Sequence, residues 1–231
     1  MDARTNPTIA EQAYNLLRAD ILNGRFKPDM PLRLEALKEL YGFSFTPMRE
    51  ALTRLRGDGL VEQTSLRGFR TAKLSLEEMW DIINTRIFIE CEAVKQAIEN
   101  GNDDWEARIV ASMYSLSKQI EKGVNSPEDR ELFETRHGDF HVALISACGS
   151  PSLLKLAYNF WLLSERYRRP HLFQYSSTSD LIGEHAQLKE AVLSRNVERA
   201  QAVLKNHYMN TGRFVESLLT QPFHDAVNFP A

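Results

Sequence analysis

The 231-residue sequence predicts a mainly α protein in two parts, an N-terminal three-helix unit closed by a small β-hairpin and a C-terminal all-α antiparallel helical bundle. Three features predict it. Two short helical patterns are separated only by the tight turn Gly42-Phe43-Ser44. Two brief extended segments follow, bounded by Gly59 and Gly68. From Ser75 onward the apolar residues recur at helical spacing, with no credible strand. The expected division is residues 1–74, residues 75–220 and a C-terminal tail, 221–231. A composition of 43% hydrophobic and 26% charged residues is that of an ordinary folded chain, long enough for two cores, and excludes a largely disordered one.

In the first part, Thr8-Ile9-Ala10-Glu11 is a capping box opening a helix that carries Leu16, Leu17 and Ile21 and ends near Asn23-Gly24. A second helix, about 33–41, is expected to bury Leu34, Leu37 and Leu40. The third starts at Ser44 or Thr46, both good N-caps. Pro47 falls in its first turn, where N–H groups have no helical acceptor, and Gly57-Asp58-Gly59 stops it. Met48, Ala51, Leu52 and Leu55 form its apolar stripe, while Arg49, Thr53 and Arg56 lie on another face. Residues 60–64 and 69–72 then pair as a hairpin around Ser65-Leu66-Arg67-Gly68. This is the layout of a winged helix-turn-helix, whose third helix enters a DNA groove while Arg67 at the wing tip reaches a phosphate or the minor groove. Charge agrees with that reading. Residues 1–74 hold 12 Lys+Arg against 9 Asp+Glu, and the remainder holds 16 against 22, within an overall charge of -3. The alternative is that these arginines form a solvated face, as charge runs usually do.

In the second part, helices are expected at 75–100, opened by the capping box Ser75-Leu76-Glu77-Glu78, then at 103–122, 127–148, 151–169, 179–194 and 197–219. Short connections imply antiparallel neighbours, and residues 170–177 form the longest connector. His137 and His141, four apart, share the stripe of Phe133, Phe140 and Leu144. His185 lies with Leu181, Leu188 and Val192, and His207 with Val203, Leu204, Thr211 and Phe214. Four of the six histidines thus face a common interior, where bundles build metal sites. Each alone reads as a core histidine bonded to a neighbour. Together they suit one divalent transition metal, zinc or nickel first and iron or copper next, rather than magnesium or calcium. Asp139 is two positions from His137, about 200° around the helix, and points elsewhere. Arg86 admits two readings, a surface ion pair with Glu90 or a cavity-facing guanidinium that grips a carboxylate. Arg166, Arg168 and Arg169 read as a solvated face or an interface. Cys91 and Cys148 are far apart and suggest neither a disulfide framework nor a thiolate metal site. No apolar run approaches the roughly 20 residues of a membrane helix and Met1 to Pro7 has no signal core, so a cytoplasmic location is expected.

Residues 8–74 resemble the winged-helix domain of the GntR superfamily. Its Ser-Arg-Thr-Pro-x-Arg-Glu-Ala-Leu motif appears here as Ser44-Phe45-Thr46-Pro47-Met48-Arg49-Glu50-Ala51-Leu52, followed by Gly59-Leu60-Val61 and Arg67-Gly68. The resemblance implies double-stranded DNA binding by Ser44, Phe45, Thr46, Arg49, Thr53, Arg56, Arg67 and Gly68. Phe45 replaces an arginine usual in the family. It can touch a thymine methyl but cannot make the bidentate guanine contact, so an altered sequence preference is expected. Residues 75–220 resemble the all-helical FCD effector domain of the FadR-like branch. Its Arg-x-x-x-Glu, Asp-x-x-x-His and two later histidines fall on Arg86 and Glu90, on His137 and His141, and on His185 and His207. That implies a divalent metal held by His137, His141, His185 and His207, with Arg86 binding a small carboxylate effector. His137 stands where the family has an aspartate.

The expected function is therefore DNA-binding transcriptional regulation by a homodimer on a palindromic operator, with repression relieved by the effector. Two alternatives remain open: a metal-dependent enzyme built on the histidine cluster, and a helical domain that only dimerises. His137-Gly138-Asp139-Phe140-His141 lacks the glutamate of a His-Glu-x-x-His protease, which weighs against the first.

Overall fold

A computed structural model describes residues 7–64, 68–170 and 178–220. The expected connector over 170–177, the wing-tip residues 65–67 and the tail lie wholly or largely outside the described residues. The first elements are α1 (Ile9–Leu22), β1 (Pro31–Leu32), α2 (Leu34–Tyr41), α3 (Phe45–Gly57), β2 (Val61–Gln63) and β3 (Phe69–Thr71). The later ones are α4 (Leu76–Asn100), α5 (Asp103–Lys122), α6 (Pro127–Ile145), α7 (Pro151–Arg168), α8 (Thr178–Leu193) and α9 (Val197–Leu219). The fold is thus the expected winged helix-turn-helix followed by an all-α bundle. Described residues within 1–79, 162–171 and 219–231 form one compact unit, and those within 80–161 and 172–218 form the other.

In the first unit, the Thr8 hydroxyl accepts from the Glu11 N–H while the Glu11 carboxylate accepts from the Thr8 N–H, so the capping box is complete. Helix α3 ends where its glycines allow. The Gly59 N–H donates to Arg56 O at 3.1 Å and the Leu60 N–H to Leu55 O at 3.0 Å, with Gly59 at φ 72° in the left-handed region. Ala13, Leu17, Leu37, Met48, Ala51, Leu52, Leu55 and Phe69 form the core. Leu40 departs from expectation and is 45% exposed, because Leu37 alone of this short helix reaches the centre.

The wing differs from a simple hairpin. β3 lies between β1 and β2, antiparallel to both, with Leu32 opposite Phe69 on one side and Gln63 opposite it on the other. A two-residue strand beginning with proline carries no periodic signal, yet Pro31 fits an edge because it has no N–H to donate.

The last turns of α7 also belong to this unit. Arg166, Arg168 and Arg169 are buried rather than solvated, Arg169 to 1% exposure. Arg166 donates to Gly59 O at 2.7 Å and pairs with Glu78, and the Arg169 Nε donates to Asn23 Oδ1 at 3.3 Å. Glu165 pairs with Arg18. Arg166 and Arg169 can be buried because carboxylate, carbonyl and amide acceptors from distant parts of the sequence stand against them, Glu78 doing so while itself partly exposed, which helical periodicity cannot reveal. At the start of α4, the Ser75 hydroxyl caps the Glu78 N–H at 3.3 Å, as half of a capping box should. The other half is replaced, since Ser75 N–H donates to the Tyr167 hydroxyl and the Glu78 carboxylate accepts from it.

The second unit is a helical bundle with α5 packed on α6 and α8. Side chains of Asn102, Ser126 and Asn196 cap α5, α6 and α9. α6 stops at Ile145 rather than 148, and Gly149 adopts φ 76° beyond it. Gly212 lets α9 approach α4, for a Cβ there would stand 2.7 Å from Ile83 and from Trp80.

Candidate metal centre and DNA face

On α3 the buried stripe leaves Phe45, Thr46, Arg49, Thr53 and Arg56 exposed, with Ser44 exposed at the N-cap position. The Ser44 hydroxyl makes no capping hydrogen bond. Thr46, Arg49 and Thr53 line an open groove with Thr8, the N-cap of α1, and with Ala10 and Glu11 of its first turn, and Phe45, Glu50 and Arg54 share it. Phe45 is 44% exposed, and its ring lies 5.1 Å from the Lys38 ammonium, a cation–π contact. The Arg56 guanidinium donates to Gln63 of β2, tying the recognition helix to the wing. Arg54 was not singled out by the sequence. It lies five residues after Arg49, on a different helical face, and its guanidinium is stacked 4.2 Å from the Tyr14 ring. Gly68 precedes β3, and Arg67 lies outside the described residues.

In the second unit, α6 supplies His137 and His141, one turn apart, α8 supplies His185 and α9 supplies His207. All four are buried, and one ring nitrogen from each lies within 4.8 Å of the others. Phe133 stacks on His137, and Phe140 packs against His141 and His185. Asp139 is exposed on the opposite face of α6.

Partners fix the tautomers. The Tyr208 hydroxyl donates to Glu90, and burial, reinforced by the Glu90 charge, pushes its pKa well above the ordinary tyrosine value. The hydroxyl keeps its proton, so its oxygen is the acceptor for Nδ1–H of His141 at 3.2 Å. The lone pair of His141 Nε2 then faces His137 Nε2 at 3.1 Å, an approach that calls for a proton or a cation between them. His185 Nδ1 is 2.7 Å from the Leu181 carbonyl oxygen, which can only accept, so its Nε2 also carries a lone pair. His207 Nδ1 lies 3.4 Å from Glu184 Oε2.

This donor set fits a resident divalent metal. Nitrogens on a zinc-like ion at about 2.0–2.1 Å stand roughly 3–4 Å apart. The four nitrogens, within 4.8 Å of one another, would draw together by about 1 Å to share one ion. Four neutral imidazoles match the borderline ions, zinc and nickel among them.

Arg86 sits beside this cluster. Its Nε donates to Glu90 Oε1 at 2.9 Å, and both side chains are buried, so the pair is not the weak surface bridge of the simpler reading. The guanidinium carbon lies 4.2 Å from the Tyr208 ring and 5.2 Å from that of Trp161. Trp161 in turn meets His137 and His141, with ring centroids 5.1 and 5.4 Å away. Tyr208, Trp161 and Glu184 were not picked out in the sequence, because only tertiary packing brings them to the histidines.

A family model for bacterial regulatory proteins, gntR family, matches residues 9–70, and one for the FCD domain matches residues 81–210. The HTH-type transcriptional regulator BphR of Paraburkholderia xenovorans is 37% identical over 201 residues, covering 87% of this chain and 82% of that protein. The HTH-type transcriptional repressor GlaR of Escherichia coli is 34% identical over 200 residues, covering 85% and 90%. Among solved structures, E. coli McbR/YncC has a TM-score of 0.72 at 21% identity over 93% of this chain and 100% of that one, a likeness of fold.

Proposed function

The chain belongs to the gntR family of bacterial regulatory proteins and carries an FCD domain, and from that premise we propose that it is a DNA-binding repressor governed by a small carboxylate bound at a metal centre. It is a transcriptional regulator of this type. The finer reading assigns residues 1–74 to DNA, 75–220 to effector binding and dimerisation, and 221–231 to a tail. Repression is favoured over activation by the name of the E. coli relative, GlaR.

One observation carries the metal reading: four buried imidazoles from three helices converge within 4.8 Å, with protons of His141 and His185 directed away from the centre. His137, His141, His185 and His207 would hold the ion. A bound divalent cation supplies an open, Lewis-acidic position for an oxygen of the effector. Arg86, fixed by Glu90 and by two aromatic rings, orients the carboxylate through charge-assisted hydrogen bonds. Phe133, Phe140 and Trp161 supply apolar walls that exclude water.

On DNA, Thr46, Arg49 and Thr53 face the groove, with Ser44, Phe45 and Arg56 beside them and Gly68 and Arg67 at the wing. A homodimer would place two such helices on a palindromic operator, gaining affinity through effective concentration. Effector and DNA then act on each other by linkage, each changing the affinity of the other by the same factor. The site functions by binding rather than catalysis, in the cytoplasm. No helix among the described residues is long and apolar enough to cross a membrane.

Selection of bound fragments from genomic DNA, repeated with metal-free and metal-loaded protein, tests this reading. Recovery of a two-fold symmetric site whose occupancy depends on metal and on an added carboxylate supports it. Sequence-independent binding, or occupancy indifferent to both ligands, would overturn it.

A further inference from the structure

We propose that Glu184 is a positioning residue of the histidine centre, the carboxylate that orients His207 for the metal. The inference rests on the metal reading above and assigns a role within it. His141 and His185 hold hydrogen-bond partners on Nδ1, the Tyr208 hydroxyl and the Leu181 carbonyl, while Nδ1 of His207 faces the Glu184 carboxylate at 3.4 Å, within ion-pair reach though without hydrogen-bond geometry. A carboxylate accepts but does not donate when ionised. Beside Nδ1 it therefore favours the tautomer with the proton on Nδ1, leaving the Nε2 lone pair of His207 for the ion.

Glu184 differs in kind from the other nearby carboxylate. Glu90 is committed to Arg86 at 2.9 Å and is linked to His141 through the Tyr208 hydroxyl. Glu184 stands directly against a cluster imidazole and immediately precedes His185, so one turn of α8 supplies both a ligand and the orienting group for another. The centre also lacks a carboxylate among its four imidazole donors, which leaves the full ionic charge on the metal. A carboxylate in that outer position returns part of the missing negative charge without occupying a coordination position.

The test uses the full chain, stripped of metal and titrated with Zn²⁺ against a chromophoric chelator. Glu184→Gln keeps size and hydrogen-bonding capacity but removes the charge. Glu190→Gln, on the exposed side of the same helix, makes the same charge change away from the cluster. Co²⁺ absorption reads the coordination sphere directly, and thermal unfolding of the apo proteins reads the fold. Glu184→Gln should bind Zn²⁺ about 10–100-fold more weakly and shift the Co²⁺ spectrum, with apo stability retained. Glu190→Gln should match the wild type. Tight wild-type binding with an unchanged Glu184→Gln affinity and spectrum would overturn the role of Glu184 alone. Equal weakening by Glu190→Gln would do the same, since the effect would then be general charge. A wild type that binds neither Zn²⁺ nor Co²⁺ would overturn the metal reading as well.

Discussion

Replacing His137 with aspartate tests whether the charge of the proposed metal centre governs the binding of an anionic effector. With four neutral imidazoles, a divalent ion presents its full charge to the open position. Aspartate would lower the charge of ion plus ligands by one. The ligand atoms lie within 4.8 Å of one another, so a bound anion would stand at a similar distance from the new carboxylate. At an effective dielectric of about 20, that separation corresponds to roughly 3.5 kcal/mol of repulsion. Reorientation of neighbouring dipoles reduces it, and the expected loss of affinity for an anionic effector is about 10–100-fold, or ~1.4–2.7 kcal/mol. Calorimetric titration with a panel of small di- and tricarboxylates, at matched metal occupancy, measures it. Metal should be retained. Equal or tighter anion binding by His137→Asp would refute the argument, showing either that His137 is not a ligand or that charge at the metal does not govern effector choice.

Arg49→Ala should weaken operator binding by about 1–3 kcal/mol and flatten its salt dependence, while Phe45→Arg should change the selected sequence more than the nonspecific affinity. Binding assays over a salt series would contradict the placement of α3 if Arg49→Ala were silent. Arg86→Ala strips Glu90 of its buried partner and should destabilise the fold by roughly 3–5 kcal/mol in denaturant melts. Arg86→Gln with Glu90→Gln should recover much of that stability while still losing carboxylate binding. Recovery of both would remove Arg86 from the effector site. Tyr14 is pushed up to about 12 by burial and its hydrogen bond to Asp58, and Tyr167 likewise by burial and Glu78. Their unfolded values lie near 10. The stability they contribute is therefore complete below about pH 10 and lost as pH rises through 12, so melting temperature should fall across that window and much less in Tyr14→Phe/Tyr167→Phe.

Much of the fold was legible because its boundaries are local chemistry. Thr8 with Glu11, Pro47 in a first turn, Gly59 beyond α3 and Ser126-Pro127 before α6 each mark an end without reference to the rest of the chain. What escaped depends on distant partners. Pro31–Leu32 becomes a strand only because β3 lies beside it. Arg166 and Arg169 look solvated until Glu78, Gly59 and Asn23 are packed against them. The four histidines were legible for a related reason, as each shares a stripe with apolar residues of its own helix and the stripes of a bundle converge. Their partners were not. Tyr208 follows a candidate ligand by one position and Glu184 precedes another, so both look like neighbours on the wrong face until the helices are assembled.

The central claim is that the buried histidine cluster is a metal centre. Elemental analysis of protein purified without chelator, alongside His141→Ala and His185→Ala, tests it most directly. About one divalent transition metal per chain in the wild type, and little in either variant, is the expected result. Lowering the pH should release the metal, because protons compete for the imidazole nitrogens. Full occupancy in both variants, or a wild type that takes up no zinc or nickel when these are supplied, would contradict it.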